Sequence, residues 1–155
     1  DTTAQIAAQM NPQANLQTPA LLAAKTSEGN RDRDLVGCSI LIVDDELAVR
    51  ELLRELFEDR GARVLTAPSA ERALHLVAQS NPDLVLSDIA MPTRDGCDLI
   101  KHIRASGNRV PAIALSASAG LASEERTIGA GFDRFLVKPV EIDRLVTLVH
   151  ELLDH

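Results

Sequence analysis

The sequence predicts an α/β fold, a single parallel sheet of five strands doubly wound by five helices into three layers. Short apolar runs, of the kind that form strands buried on both faces, alternate with segments whose apolar residues recur at helical spacing. Glycine or Asn-Pro punctuates the ends of several helical segments. Hydrophobic residues make up 45% of the 155-residue chain, enough to build a core, and aromatic residues only 2%, so that core is Leu, Val, Ile and Ala.

The elements follow in order. SILIV (39–43) is the first strand. In ELAVRELLRELFEDRG (46–61), Val49, Leu52, Leu53, Leu56 and Phe57 share one helical face, and Gly61 closes the helix. ARVLTA (62–67) is the second strand, and ERALHLVAQ (71–79) the second helix, stopped by Asn81-Pro82. DLVLS (83–87) is the third strand, and CDLIKHIRA (97–105) the third helix, ending near Gly107. VPAIALS (110–116) is the fourth strand, and the polar, Ala-rich LASEERTIGAG (121–131) a marginal fourth helix. DRFLV (133–137) is the fifth strand. EIDRLVTLVHELL (141–153) is the last helix, with Leu145, Val146, Leu148, Val149 and Leu152 on its apolar face. Right-handed crossovers between successive strands give a sheet covered on both faces. Two strand orders are common for such sheets, and periodicity does not choose between them.

Residues 1–37 differ in kind. They are rich in Gln, Ala, Asn, Thr and Pro, and read as a linker or N-terminal extension ahead of a domain at 38–155. A short helix is expected over 19–25, with Thr18 as cap and Pro19 at its first position. The net charge of −7 argues against nucleic-acid binding, which needs a basic surface. The two cysteines, Cys38 and Cys97, lack metal-ligand spacing, so a reduced, cytoplasmic protein is expected. No stretch has the length of a membrane span, and no membrane contact by this domain is expected. The four histidines, His75, His102, His150 and His155, read as solvated or partly packed surface.

In an open parallel sheet, ligands bind outside the carboxyl ends of the strands. The polar residues there are Asp44 and Asp45 after strand one, Asp88 after strand three, Ser116 after strand four, and Lys138 after strand five. Strand two lacks such a group and suits the border of the sheet. Two carboxylates about 4 Å apart repel by roughly 4 kcal/mol at an effective dielectric near 20. Either one holds a proton or a cation sits among them. Hard oxygen ligands favour Mg2+, which accepts one or two carboxylates plus a phosphate oxygen. An aspartate beside a divalent ion and a lysine can attack phosphorus and become an aspartyl phosphate. The ion, the lysine and a hydroxyl such as Ser116 would offset charge on the transferring oxygens. Taken singly, Asp44 or Asp45 could be a helix cap, and Asp95-Gly96 is an ordinary turn signal. Polar ends on four of the five strands outweigh that reading.

These residues resemble the receiver domain of bacterial two-component response regulators. The resemblance rests on ILIVDDE (40–46), LVLSDIAMPTRDG (84–96), AIALSA (112–117) and RFLVKP (134–139), in order and spacing, and covers about 38–154. It implies a flavodoxin-like sheet. It implies that Asp88 is the phosphoacceptor, that Asp45 binds Mg2+ (or Mn2+) directly, and that Asp44 acts mainly through a metal-bound water. The Ala90 carbonyl would be a further metal ligand. Lys138, before a cis Pro139, would pair with the acceptor carboxylate or the phosphate. Ser116 would be the switch hydroxyl, and Phe135 the aromatic that rotates inward with it. Ser116 stands where Thr is commoner, Phe135 lacks a tyrosine's hydroxyl, and Arg94 occupies a usually apolar position. Small residues at Ala90 and Ser118, which flank the path of the attacking water in this family, suggest an intermediate phosphate lifetime.

The resemblance further implies a phosphoryl group taken from a histidine kinase or a histidine phosphotransfer domain. It implies self-catalysed phosphorylation and dephosphorylation, and a partner-binding or self-associating face of helix four, strand five and helix five. The start at Asp1 and the polar stretch suggest the C-terminal receiver of a hybrid sensor kinase, with a stand-alone regulator as the alternative. A haloacid-dehalogenase-like phosphatase would need an acid at Ala90. A flavin-binding module would need a phosphate-cradling loop after strand one. A receiver-like module that is never phosphorylated is disfavoured by the intact Asp/Asp/Lys set.

Overall fold

The computed structural model describes residues 34–153. The strands are β1 (Ser39–Val43), β2 (Arg63–Ala67), β3 (Leu84–Asp88), β4 (Ala112–Ser116) and β5 (Arg134–Val137). They alternate with helices α1 (Leu47–Asp59), α2 (Ala70–Ser80), α3 (Gly96–Ala105), α4 (Leu121–Ala130) and α5 (Ile142–Leu153). Every pairing is parallel and the order is β2-β1-β3-β4-β5. This is the flavodoxin-like order, with β2 at one edge. The direction of winding reverses between β1 and β3, which opens a crevice at their carboxyl ends.

Period-two alternation divides the core. Ile40, Ile42, Leu84, Leu86, Ile113 and Leu115 face α1 and α5, packing on Leu53, Phe57, Leu145 and Val149. Leu41, Val43, Val85, Ala112 and Ala114 face the other side, against Ala73, Val77, Leu99, Ile100 and Ile103 of α2 and α3. Each fully buried aliphatic side chain contributes roughly 1.5–3 kcal/mol.

Local chemistry sets the helix ends. The Ser69 hydroxyl accepts the Arg72 N–H at 3.2 Å to start α2, and Asn81 ends it in the left-handed region, at φ 52°, ahead of Pro82. The Asp95 carboxylate accepts the Asp98 N–H at 2.9 Å and starts α3. Helix α4 lacks a side-chain cap, buries only Thr127, and leaves Leu121 and Ile128 exposed. It is the weakly held helix its composition suggests. Arg104 closes the far end of α3. Its guanidinium donates to the carbonyls of Gly131, Asn108 and Val110 and pairs with Asp133.

The packed body begins earlier than residue 38. Leu35 is fully buried against the α1/α5 layer, and its N–H donates to the Arg60 carbonyl at 2.8 Å. Asp34 accepts from Arg60 at 3.0 Å and pairs with His150 at 2.7 Å. The helix expected over 19–25 lies outside the described residues, as does His155. No described helix is long and apolar enough to cross a membrane.

Candidate functional site

The sheet register assembles the site. Val43 pairs with Ser87, so the next residues along, Asp44 and Asp88, stand side by side at the crevice. On the other flank Ser116 pairs with Val137, and the Lys138 N–H donates to the Ser116 carbonyl at 2.8 Å. Asp88 and Ser116 are the last residues of β3 and β4, held by the ladder itself, whereas Asp44, Asp45 and Lys138 lie just beyond their strands. The Lys138–Pro139 peptide bond is cis.

The acids meet. Asp44, Asp45 and Asp88 each offer a carboxylate oxygen within 4.8 Å of the others'. Lys138 Nζ lies 3.2 Å from Asp88 Oδ1 and 3.8 Å from Asp44 Oδ2. Asp44 and Asp88 are buried, and Asp45 is exposed at the mouth. Burial is the main reason the Asp44 carboxyl is pushed up to about 6; the Glu46 N–H opposes it, Asp88 adds to it, and Lys138 offsets part. Burial likewise raises Asp88, against the charge and hydrogen bond of Lys138 and the N–H of Ala90.

The donor set fits a divalent cation. Oδ1 of Asp44 accepts the Glu46 N–H at 2.9 Å, but the buried Oδ2 lacks a hydrogen-bond partner among the described residues. A buried, orphaned carboxylate oxygen beside two further carboxylates suits a hard metal ion, with the single ammonium of Lys138 offsetting only one of three negative charges.

Ser116 and Phe135, expected as the switch pair, are not bonded to the acids. The Ser116 hydroxyl is engaged within its own loop, accepting the Ser118 N–H at 3.0 Å and donating to the Ser118 carbonyl at 3.2 Å. Phe135 is half-buried on the α2/α3 side of the sheet. Ala90 is exposed and turns its N–H to Asp88.

Two residues bearing on the site escape a reading of strand ends. Gly96, the first residue of α3, lies against the backbone of Asp88 and Ile89. Arg50, on α1, donates from Nη1 to the Asp44 carbonyl at 2.7 Å. Gly96 carries a signal in the Asp-Gly pair that ends the MPTRDG loop; Arg50 looks like any polar position of an amphipathic helix.

A family model described as the response regulator receiver domain matches residues 40–150. The chain is 42% identical over 119 residues to an uncharacterized 14.6 kDa protein of Leptolyngbya boryana, spanning 76% of this chain and 91% of that one. It is 38% identical over 120 residues to the Regulator of RpoS of Escherichia coli (strain K12), spanning 77% of this chain and 36% of that one. Against the response regulator MprA of Mycolicibacterium vanbaalenii it is 35% identical over 114 residues, 74% of this chain and 49% of that one. The chain thus spans about a third to a half of those two regulators. Among solved structures, the receiver domain of the Francisella response regulator 1452 superposes with a TM-score of 0.73 at 30% identity, over 76% of this chain and 97% of that one. The response regulator TrrA of Thermotoga maritima, solved in complex with Mg(2+)-BeF, gives 0.68 at 34% identity, over 75% and 99%.

Proposed function

The chain belongs to the response regulator receiver domain family, and from that premise we propose that Asp88 is its phosphoacceptor. The convergence of Asp44, Asp45, Asp88 and Lys138 on one edge of the sheet carries this reading. The donor is a phosphohistidine on a histidine kinase or a histidine phosphotransfer domain. An Asp88 carboxylate oxygen attacks the phosphorus. The phosphorus–nitrogen bond breaks, and its electron pair leaves with the imidazole, which takes up a proton. Later attack by water on the aspartyl phosphate releases inorganic phosphate and restores the carboxylate.

Asp45 and Asp88, with the Ala90 carbonyl, would hold Mg2+, or Mn2+ in its place, and Asp44 would act mainly through a bound water. The ion supplies charge stabilisation at the transferring oxygens. Lys138 holds the acceptor carboxylate in the free protein and is placed to meet a phosphate oxygen afterwards. The Ser116 hydroxyl would leave Ser118 for that phosphate and Phe135 would follow it inward, shifting the population of the α4–β5–α5 face. The exposed Leu121, Ile128 and Val137 support that face as the site of partner binding or self-association.

Incubation with a small-molecule phosphodonor and Mg2+ tests the assignment by intact mass. The expected result is one added phosphate, lost in Asp88→Asn and lost when Mg2+ is chelated. An equal gain in Asp88→Asn would overturn it.

A further inference from the structure

Arg50 is not used by the reaction as described, yet it touches the backbone of the acidic pocket. Its side chain is half-buried on the second turn of α1, and its Nη1 donates to the Asp44 carbonyl at 2.7 Å. That carbonyl sits where β1 has left the sheet and α1 has not begun, so neither element offers it a partner. The amide and one carboxylate oxygen of Asp44 are also held: its N–H donates to the Ala67 carbonyl at 3.1 Å and its Oδ1 accepts the Glu46 N–H at 2.9 Å.

Asp45 is different. Its carboxylate is exposed and makes no hydrogen bond or ion pair with the described residues. Only the backbone aims it into the pocket. The Asp44 carbonyl and the Asp45 nitrogen lie in one peptide plane, so a hydrogen bond that holds the oxygen also fixes where Asp45 leaves the chain.

We propose that Arg50 is a positioning residue for the metal pocket: by locking the Asp44–Asp45 peptide it keeps the exposed carboxylate turned toward Asp88, and so sets divalent-cation affinity. This rests on Asp45 being a metal ligand. The charge of Arg50 would act in the opposite sense. The guanidinium forms no ion pair with the three carboxylates, and a cation nearby repels an incoming metal ion. The two roles therefore predict opposite signs.

Isothermal titration of the full chain with Mg2+ in about 0.15 M salt, where charges beyond roughly 8 Å are largely screened, reads the sign. Arg50→Met keeps the packed stem and removes the donors. The expected result is affinity weakened about threefold to tenfold, as for the loss of one net hydrogen bond. Arg50→Lys, which can still donate, should recover most of it. In an Asp45→Asn background Arg50→Met should change nothing further. A thermal melt without metal separates out a purely structural role, which would lower Tm and leave Mg2+ affinity unchanged. Unchanged or tighter binding in Arg50→Met overturns the proposal. Should that variant not fold, Arg50→Gln takes its place and is read by the same criterion. Wild-type affinity retained in Asp45→Asn would instead overturn the ligand assignment beneath it.

Discussion

Gly96 lies directly against Asp88: a Cβ on Gly96 would stand 2.5 Å from the Asp88 carbonyl oxygen and 3.1 Å from the Cα of Ile89. Both neighbours are backbone, and one belongs to the proposed phosphoacceptor. The Gly96 N–H also donates to the Ile89 carbonyl at 2.8 Å, which draws the start of α3 onto the end of β3.

Gly96→Ala therefore cannot be absorbed by a side-chain rotation. Either α3 moves off the sheet or the Asp88 peptide turns. The expected outcome is destabilisation of about 1–3 kcal/mol, the usual cost of overpacking, with slower phosphorylation of the fraction that stays folded. Urea unfolding and a phosphodonor time course check it. Wild-type values in both would show that the contact yields.

The raised Asp44 carboxyl makes stability depend on pH. Its ordinary value is 3.8 and its folded value about 6, so the folded state holds this proton more tightly than the unfolded chain. Between those values the unfolded chain has released the proton and the folded protein has not. Metal-free stability falls as pH rises from about 4 to about 6, then levels off, for a total of roughly 3 kcal/mol. Asp88, raised by the same burial, adds in the same direction. Denaturant unfolding in chelator across this range should show the decline. Asp44→Asn should remove most of it and be more stable than wild type at pH 7. Mg2+ should offset the decline, because a cation favours the ionised pocket.

The candidate site was legible as a cluster because its polar residues stand where strands stop. Asp44, Asp88, Ser116 and Lys138 each interrupt an apolar run, and period-two structure makes such interruptions conspicuous. Strand order was not legible from periodicity: Ile40, Ile42, Leu84 and Leu86 would read alike at any interior position of a parallel sheet, and the order came with the family resemblance. Arg50 was hidden because its partner is a carbonyl, and carbonyls carry no sequence signal. Gly96 read as an ordinary turn glycine, although what it supplies is room for the Asp88–Ile89 backbone. Leu35 was hidden in a polar stretch, where one leucine gives no periodicity to read.

Thr93 carries stored strain. It has φ 71°, in the left-handed region, and the Arg94 N–H donates to the Pro92 carbonyl at 2.7 Å across it. That three-residue hydrogen bond with a positive central φ is the strained form of the γ-turn, and a β-branched residue suits it poorly. Thr93→Gly should raise stability by about 1 kcal/mol, since Gly reaches positive φ whatever the ψ, whereas the tolerance of Asn is confined to the left-handed helical region. Chemical unfolding at fixed pH checks it. Equal or lower stability would mean that the Thr93 side chain contributes more than its backbone costs.

Among the described residues, Leu35 is the first to pack into the core. It is only 1% exposed and packs among side chains of α1 and α5, while Asp34 ties the buried guanidinium of Arg60 to His150. Leu35→Ala removes apolar contacts from a layer that cannot readily close over the space, and should cost about 2–4 kcal/mol. Asp34→Ala would leave Arg60 as a buried charge without its carboxylate, and should cost a similar amount. A chain started at residue 38 loses both contacts and should be less stable than either single variant. Unfolding midpoints for the three, beside a chain started at residue 34, test the boundary. If removing 34–37 leaves the midpoint unchanged, those residues rest on the domain without supporting it.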